Sequence, residues 1–288
     1  MEELMIKVDE LIEKYGLSDV KEYIYKNLKK SVYLSIAEKD DYKVLGISRV
    51  GGYPDVPDKF NWPLTRTGEK MTFIAQLNLR EVSISDENQI LPKKGMLYFF
   101  MGIDEPAYDI EHKVIFSEEE NLKFTKPEKF TVLEEEYELS FNPYKVKANS
   151  YIEIPNYAYL DCDQVEDTDS YYELQENLLF SFKNYIGKIF GYPIGQHDDS
   201  ELEATLKIVA NEKYNYTKKD KEKLISALNG DEKKADKEIE DMLMLLEIDT
   251  DYNVGFQWWD AGSIHFFIRK EDLINKNFHN TYLSLYSS

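Results

Sequence analysis

The chain has 288 residues, of which 42% are hydrophobic, 14% aromatic and 31% charged, and this composition excludes collagen-like, low-complexity and wholly disordered proteins. Its 55 acidic and 35 basic residues leave a net charge of −20 at pH 7. Because binding to nucleic-acid phosphates depends on lysine and arginine, we expect no nucleic-acid partner. The length allows either one large domain or two tightly joined halves.

The first residues and the single cysteine indicate a cytoplasmic protein. The segment 1–4 has no basic region followed by an apolar one, so it does not resemble a secretory signal. No stretch approaches the roughly 20 apolar residues that span a bilayer, and we expect no membrane association. Cys162 has no second cysteine to pair with and lies between two aspartates, which disfavour a thiolate. We interpret it as a structural or tolerated residue.

The N-terminal residues 1–30 show apolar positions at helical spacing and predict a pair of short helices that pack on a larger body. From residue 31 the chain becomes rich in β-formers, and strands are expected at 31–36 and 42–47. Alternating or continuous apolar runs predict further strands at 71–79, 96–100, 114–116, 151–154, 242–248, 255–258, 263–268 and 282–286.

Helices are predicted in two later regions. Apolar residues at a 3.6-residue period predict a long helix over 174–189, which ends before a Gly-Tyr-Pro turn at 191–193. The charged region 217–241 predicts a helical hairpin on the surface, broken at 229–230. The three-glutamate runs at 118–120 and 134–136 are expected to be exposed turns or strand ends.

Two short motifs occur twice in the same order. Gly52-Tyr53-Pro54 recurs as Gly191-Tyr192-Pro193, an offset of 139 residues. Gly95-Met96-Leu97-Tyr98-Phe99-Phe100 has a counterpart, Gly262-Ser263-Ile264-His265-Phe266-Phe267, at an offset of 167. An apolar strand lies between the members of each pair. We therefore predict one domain over 31–288 built from two similar β halves, about 31–165 and 166–288. The alternative is chance recurrence in a tyrosine-rich chain.

Several of these segments together resemble a known family. They are Gly51-Gly52-Tyr53-Pro54, Trp62-Pro63, the strand 73–77, the turn and strand 91–100, the strand 245–249, and the closing stretches 259–262 and 266–273. In this order they resemble the YwqG-like family of bacterial proteins, a domain of unknown function, from about residue 31 to the C-terminus. The resemblance implies a mainly β (α+β) fold, a β-roll or barrel-like body with peripheral helices. It implies no reaction, cofactor or catalytic residue.

The chain departs from the family pattern at two positions. The family usually has glutamine where this chain has Glu247, and a small residue where it has Trp259. A pocket shared by the family would therefore differ here in charge and in hydrogen bonding.

Nine residues are candidates for binding a ligand or a partner: Tyr53, Trp62, Gln76, Tyr192, Gln196, Glu247, Asp249, Trp259 and Asp260. The two Gly-Tyr-Pro loops either frame one cleft together with Gln76 and Glu247 or are tight corners that need glycine and proline. The three tryptophans could line a groove, but we favour core positions. The aspartates near 249–260 could act as paired carboxylates, although turn chemistry is the simpler interpretation.

The sequence shows no recognisable catalytic, nucleotide-binding or metal-binding string, so we expect no catalytic residue, no cofactor and no metal. The segment His197-Asp198-Asp199 comes nearest to a metal site, but adjacent side chains rarely converge on one ion. His265 alternates with apolar residues in a predicted strand, and we interpret it as a half-buried sheet residue.

Two functions fit these features. The first is a non-enzymatic binding protein whose negative charge attracts a basic protein; the resemblance implies an immunity-like inhibitor, because YwqG-like proteins are sometimes encoded near polymorphic-toxin systems. Its simpler rival is that the acidic surplus only maintains solubility. The second is an enzyme or small-ligand-binding protein with a polar pocket between the β halves that includes Gln76, Glu247, Asp249 and Asp260. We expect a monomer or weak oligomer.

Overall fold

The computed structural model of the chain describes residues 1–102, 110–127, 130–132, 135–137, 141–179 and 183–287. The strands in chain order are β1 (Lys29–Lys39), β2 (Arg49–Val50), β3 (Asp55–Pro57), β4 (Thr72–Asn78), β5 (Met96–Met101), β6 (His112–Ser117), β7 (Leu122–Phe124), β8 (Phe130–Val132), β9 (Glu135–Tyr137), β10 (Tyr144–Glu153), β11 (Tyr185–Phe190), β12 (Met242–Asp249), β13 (Ser263–Arg269) and β14 (Thr281–Tyr286). The helices are α1 (Glu2–Lys14), α2 (Lys21–Lys26), α3 (Leu79–Val82), α4 (Thr168–Leu179), α5 (Ser200–Thr205), α6 (Lys219–Ala227), α7 (Glu232–Glu240) and α8 (Lys270–Ile274), with a 3₁₀ turn at Ser18–Val20 and a π-helical turn at Leu206–Ala210.

One antiparallel sheet of ten strands forms the body, in the order β14-β13-β12-β11-β1-β10-β2-β4-β5-β6. Its two edge strands approach each other, and there His112 Nε2 lies 3.0 Å from Thr281 Oγ1. The sheet is thereby a nearly closed barrel, which confirms the expected mainly β fold with peripheral helices. In the described ranges, β3 pairs with β7 and β8 with β9 as separate two-stranded sheets.

The two flanks of the sheet follow the same order. On one side of the central β1–β10 pair come β2, β4, β5 and β6, and on the other come β11, β12, β13 and β14. The pairing register shifts between Phe73 and Ala75 on β4, and between Met244 and Leu246 on β12. These shifts fall at matching places in the two flanks. The order is compatible with the predicted repeat of two β halves, which stays a prediction.

Alternation along the strands divides the buried side chains between two faces. Apolar residues such as Leu34, Ile189 and Phe266 point into the barrel and form its main hydrophobic core. The alternate residues point outward. On part of this outer face, Tyr33 and Tyr151 lie in a second apolar cluster with the N-terminal helices and α4.

The N-terminal helices cover the outer face because their apolar residues fall on one side. Val8 and Ile12 of α1 and Ile24 of α2 are completely or almost completely buried, and α1 contacts α4 and β10. Burying an aliphatic side chain of this size contributes roughly 1.5–3 kcal/mol. None of the helices in the described part of the chain combines the length and apolar content needed to cross a membrane.

The predicted helix over 174–189 is wrong in its second half. α4 ends at Leu179, and the segment from Tyr185 to Phe190 is strand β11, hydrogen-bonded to β1 and β12. Asn184 has a positive φ of 61°, which stops any continuing helix just before the strand. A buried central strand carries apolar residues on both faces, so its sequence also matched a helical period. Phe182, part of that pattern, lies outside the described residues.

Two predicted strands are turns. In the segment 42–47, the carboxylates of Asp40 and Asp41 accept the N–H groups of Tyr42 and Lys43, and Tyr42 has a φ of 60°. These local bonds compete with strand pairing. In the segment 255–258, the β-pairing found is an isolated bridge between Phe256 and Asp251. The Asp251 carboxylate accepts the N–H groups of Asn253 and Val254, and these bonds form a tight turn in place of a strand. The helical hairpin in 217–241 is confirmed by α6 and α7.

The three-glutamate run 118–120 is exposed and directly follows the end of β6, as expected, and two of its members are paired within the molecule. Glu118 pairs with Lys94 and Lys276, and Glu120 pairs with Arg80. Part of the run 134–136 lies outside the described residues.

Candidate functional site

A row of polar residues crosses the outer face of the first flank. Arg49 on β2 is paired in register with Gln76 on β4, which is paired with Tyr98 on β5. All three side chains are fully buried. We call these three residues the first row.

A second row crosses the other flank at the corresponding place. Lys188 on β11 is paired with Glu247 on β12, which is paired with His265 on β13. These side chains are also buried, His265 more fully than the half-burial expected from the sequence. We call these three residues the second row.

The two rows make the same contacts to the two Gly-Tyr-Pro loops. Arg49 Nη1 donates a 2.9 Å hydrogen bond to the carbonyl of Tyr53, and Lys188 Nζ donates a 2.7 Å bond to the carbonyl of Tyr192. The residue after each proline donates its backbone N–H to the middle residue of the row. Asp55 N lies 2.7 Å from Gln76 Oε1, and Ile194 N lies 2.9 Å from Glu247 Oε2.

The first row is closed by its own neighbours. The Asp55 carboxylate lies 3.1 Å from Arg49 Nη2 and accepts a 3.0 Å hydrogen bond from Gln76 Nε2. Arg49 also pairs with buried Asp40, and Tyr98 OH donates to the Asp55 carbonyl at 2.8 Å. Both acids are buried and paired with Arg49, so the charges of this cluster are compensated within it.

The second row has a different set of charges. Lys188 Nζ lies 2.8 Å from Glu153 Oε2 and 3.6 Å from Glu247 Oε1. Burial alone lowers the pKa of Lys188, but the two glutamates raise it above its ordinary value. Burial likewise raises the pKa of Glu247, but Lys188 and His265 outweigh it and lower the pKa of that carboxyl to about 2. Lys188 and Glu247 thus both stay charged at neutral pH, although both are buried.

A cavity of about 470 Å³ lies between this outer face of the sheet and α4. We call it the tyrosine cavity, and it is lined by Tyr33, Tyr151, Ile152, Glu153, Ile154, Asn156, Gln175, Glu176, Leu178, Leu179, Tyr185, Lys188, Ile194 and Asp249. Tyr33 is the residue next to Lys188 in the sheet register. Its ring centroid lies 4.0 Å from that of Tyr151 and 5.0 Å from that of Tyr185. Glu176 and Leu179 are exposed and mark the mouth.

Asp249 brings a weakly acidic carboxyl to this cavity. It follows Glu247 by two residues on β12, so it points to the same face. Ser263 Oγ donates a 2.6 Å hydrogen bond to its Oδ1. Burial and the negative charge of Glu247 raise the pKa of Asp249 to about 7. This carboxyl therefore exchanges a proton near neutral pH.

A smaller cavity of about 220 Å³ lies on the other side of Ile194. Gln196, Trp259 and His265 are among its lining residues. Glu247 separates the two cavities, since its Oε2 lies 3.1 Å from His265 Nε2 and its other oxygen faces Lys188. Glu203 also lines the smaller cavity, and burial raises the pKa of its carboxyl to about 6.

The nine predicted residues thus fall in several places. The second row and its cavities contain Glu247, Asp249, Gln196 and Trp259. Trp259 is 48% exposed, contrary to the expected core position, whereas Trp258 is buried in the core.

The others lie elsewhere. Gln76 belongs to the first row, and Tyr53 and Tyr192 support the rows through their carbonyls. Trp62 packs on Phe100 with ring centroids 5.2 Å apart, in a separate apolar cluster. Asp260 is exposed.

Sequence reasoning missed Lys188, Glu153 and the cavity tyrosines. A signal for Lys188 was present, because Arg49 and Lys188 are also separated by 139 residues, the offset of the two Gly-Tyr-Pro loops. Extending that repeat by three residues toward the N-terminus would have identified the pair. Tyr33 and Tyr151 carry no such signal, since strand tyrosines occur throughout this chain.

Within the described residues, no group of three or more His, Cys, Asp or Glu side chains is arranged to hold a metal ion. The described residues include His197-Asp198-Asp199, the segment that comes nearest to a metal site in the sequence.

A family model for a domain of unknown function, DUF1963, matches residues 48–286. The chain belongs to this family. The match covers both rows, the Gly-Tyr-Pro loops and most of the barrel, but begins after β1 and so leaves Tyr33 outside it. A search of curated proteins finds no match for this DUF1963 chain.

Proposed function

We propose that this DUF1963 protein binds a small molecule in the tyrosine cavity. The observation that carries the proposal is the difference between the two rows. Beside the first row, the Asp55 carboxylate fills the space and pairs with Arg49. Ile194 follows the second Gly-Tyr-Pro loop as Asp55 follows the first. It lies beside the second row and lines an open cavity instead. One copy of the arrangement is closed and structural, while the other leaves room for a ligand.

The lining of the cavity supports this proposal. Ligand sites in proteins are concave and mostly apolar, with a few polar groups that fix orientation, and they measure about 300–1,000 Å³. The tyrosine cavity has a volume of about 470 Å³ and combines aliphatic and aromatic walls with Lys188, Asp249 and Asn156. A titratable carboxyl at such a place is also typical of functional sites.

A larger groove of about 710 Å³ on the first flank is a weaker candidate. Its lining includes Glu38, Ile84 and Lys147, which are all exposed, and Ile84 is 81% exposed. A groove with exposed walls buries little of a small ligand.

A screen of chemically diverse fragments by ligand-observed NMR tests the proposal. We expect several fragments to bind the wild-type protein and to lose binding to Leu178→Trp, which fills the tyrosine cavity from α4. The control Ile84→Trp places the same side chain in the larger groove and should bind as wild type does. The proposal fails if no fragment binds, or if every fragment that binds the wild type still binds Leu178→Trp. Far-UV circular dichroism verifies that both variants are folded.

A second candidate function rests on the net charge of −20. A cytoplasmic, immunity-like inhibitor of a basic protein, the role that the resemblance to the YwqG-like family implies, would use this charge for fast association. The run at 118–120 contributes little to such a surface, because Glu118 and Glu120 are already paired with lysine and arginine. Pull-downs from the native host at low and high salt test this candidate. Recovery of no basic protein under either condition would exclude it.

The repeat of two β halves is part of the same proposal. The shared offset of Arg49 and Lys188, their identical carbonyl contacts and the matching register shifts on β4 and β12 all support it. In this arrangement β10 corresponds to β1, so the second half would begin near Tyr144 rather than at 166. Each first strand then pairs with a strand of the opposite half, β1 with β11 and β10 with β2.

A further inference from the structure

The cationic donor of the tyrosine cavity is already used by partners within the protein. Lys188 is the basic residue among the described residues of the lining, and its ammonium has three N–H groups. Two of them reach Glu153 Oε2 at 2.8 Å and the carbonyl of Tyr192 at 2.7 Å, and Glu247 Oε1 lies 3.6 Å away. Tyr185 OH donates to Glu247 at 2.9 Å. A ligand anion would have to compete with these internal partners.

The acceptors, by contrast, are incompletely used. Glu153 is only 7% exposed, and its Oε1 accepts no hydrogen bond from the described part of the chain. Asp249 accepts one hydrogen bond, from Ser263. A buried carboxylate oxygen without a donor is costly, so a ligand that brings N–H groups would be favoured.

The second row is also more acidic than the first. Gln76 and Asn78 on β4 correspond to Glu247 and Asp249 on β12, because Gln76 pairs with Tyr98 as Glu247 pairs with His265. Two neutral amides are therefore replaced by two carboxyls beside the cavity. Glu247 is balanced by Lys188. Burial and the charge of Glu247 raise the pKa of Asp249, and the more distant Lys188 and the Ser263 hydroxyl only partly offset this rise.

The walls of the cavity suit an organic cation. The rings of Tyr33, Tyr151 and Tyr185 contribute aromatic surface, and Leu178 and Ile154 contribute aliphatic surface. Aromatic rings attract cations through their quadrupole, most strongly where water is excluded.

We propose that the ligand of the tyrosine cavity is a protonated amine with an apolar body, held by the Asp249 and Glu153 carboxylates and the tyrosine rings. This inference rests on the proposed function, and it specifies the chemical class of the ligand. A carboxylate of the same shape would leave the unused acceptors unpaired, and an alcohol would bring a single neutral O–H donor in place of the charged N–H groups of an amine.

Calorimetric titration with three molecules of similar shape tests the inference at pH 8, where Asp249 is ionised. The probes are 2-phenylethylamine, 2-phenylethanol and 3-phenylpropanoate. We expect the amine to bind the wild-type protein at least about tenfold more tightly than either of the others, as a charge-assisted hydrogen bond predicts. This comparison needs no variant and so does not depend on the folding of one.

The variant Asp249→Asn supplies the second arm. The asparagine keeps an acceptor for Ser263 and removes the charge, so binding of the amine should weaken about tenfold while binding of the alcohol stays unchanged. The matched control Asp260→Asn removes an exposed carboxylate outside the cavity and should bind as wild type does.

The outcomes separate this inference from the proposed function. Tighter binding of the carboxylate or the alcohol, or equal binding of the amine to Asp249→Asn and wild type, would overturn the ligand class. If none of the three probes binds while other fragments occupy the cavity in the NMR screen, the ligand class is wrong and the proposed function stands. If no molecule binds in either experiment, both proposals fail.

Discussion

Arg49 and Lys188 lie at corresponding points of two strands, and each donates a hydrogen bond to the tyrosine carbonyl of a Gly-Tyr-Pro loop, at 2.9 Å and 2.7 Å. Their surroundings differ. Arg49 has buried Asp40 and Asp55 as partners, whereas Lys188 has Glu153 and Glu247 and borders a cavity. The same framework thus supports a closed cluster on one flank and a candidate ligand site on the other.

Replacing Lys188 with methionine should destabilise the protein strongly. The change leaves Glu153 and Glu247 buried without their shared cation, and breaking a buried ion pair in this way costs about 3–5 kcal/mol. Urea denaturation measures the loss as a lower midpoint. The exposed control Lys43→Met, whose side chain is 81% exposed, should leave the midpoint unchanged. Equal midpoints for both variants would show that Lys188 does not stabilise the second row.

Gly191 should tolerate alanine much less well than Gly230. Both have a positive φ, 81° and 83°, so backbone strain of about 1–2 kcal/mol is common to both changes. A Cβ at Gly191 would lie 2.1 Å from Glu153 Oε1, whereas a Cβ at Gly230 would meet nothing within 4 Å. We expect Gly191→Ala to lose about 2 kcal/mol more than Gly230→Ala in urea denaturation, because Glu153 must shift away from Lys188. A smaller loss at Gly191 would contradict the observed packing of Glu153.

The free energy of unfolding should fall as the pH rises toward 7. The pKa of Asp249 is raised from 3.8 to about 7, so the folded state holds a proton there that the unfolded state has released. The stabilisation from this carboxyl is therefore complete below about pH 4 and is lost as the pH rises through 7, by at most about 1.4 kcal/mol per pH unit. Glu203 acts in the same direction up to its pKa of about 6.

Comparing Asp249→Asn with the wild type between pH 6 and 7 isolates this effect, because Glu203 titrates in the same way in both proteins. The variant should show a flatter pH dependence than the wild type, and Asp260→Asn should not. An unchanged slope in Asp249→Asn would mean that this carboxyl does not titrate near neutral pH.

Exchanging the middle residues of the two rows should have unequal effects. Gln76 Nε2 donates to the carbonyl of Ile47 at 2.7 Å and to Asp55 at 3.0 Å, so Gln76→Glu would set a carboxylate against two acceptors. We expect a loss of at least about 3 kcal/mol. Glu247→Gln keeps an acceptor for Ile194 N, and Lys188 keeps Glu153 as its buried counter-charge, so the loss should be smaller than that of Gln76→Glu. Thermal denaturation of both variants measures the difference, and equal losses would contradict the contacts described for Gln76.

The sequence was sufficient to predict most of the barrel. The apolar runs that became β4, β5, β12 and β13 are long and are bounded by glycine, proline or aspartate, so their strand character is local information. The N-terminal helices and the α6–α7 hairpin were predicted for the same reason. The segment 42–47 was not, because the bonds of Asp40 and Asp41 to backbone N–H groups depend on side-chain geometry that β-propensity ignores.

The candidate site was only partly predictable, because it depends on pairing between distant strands. Strand β11 was mistaken for the end of a helix, and Lys188 was missed with it. Glu247 was a candidate because it departs from the family pattern, and Asp249 because it is one of several neighbouring aspartates, but Gln76 lies in the first row, away from the tyrosine cavity. Tyr33 and Tyr151 lie on β1 and β10, and only the folded sheet brings them together under α4.

A crystal structure of the protein soaked with the fragments that bind in the NMR screen tests the central claim most directly. We expect fragment density in the tyrosine cavity, between Tyr33, Tyr185 and the Leu178 side of α4. Any amine group of the fragment should lie within hydrogen-bonding distance of Asp249 or Glu153. Fragments found only at other places on the barrel, with α4 packed down onto the sheet and no space beside Lys188, would contradict it.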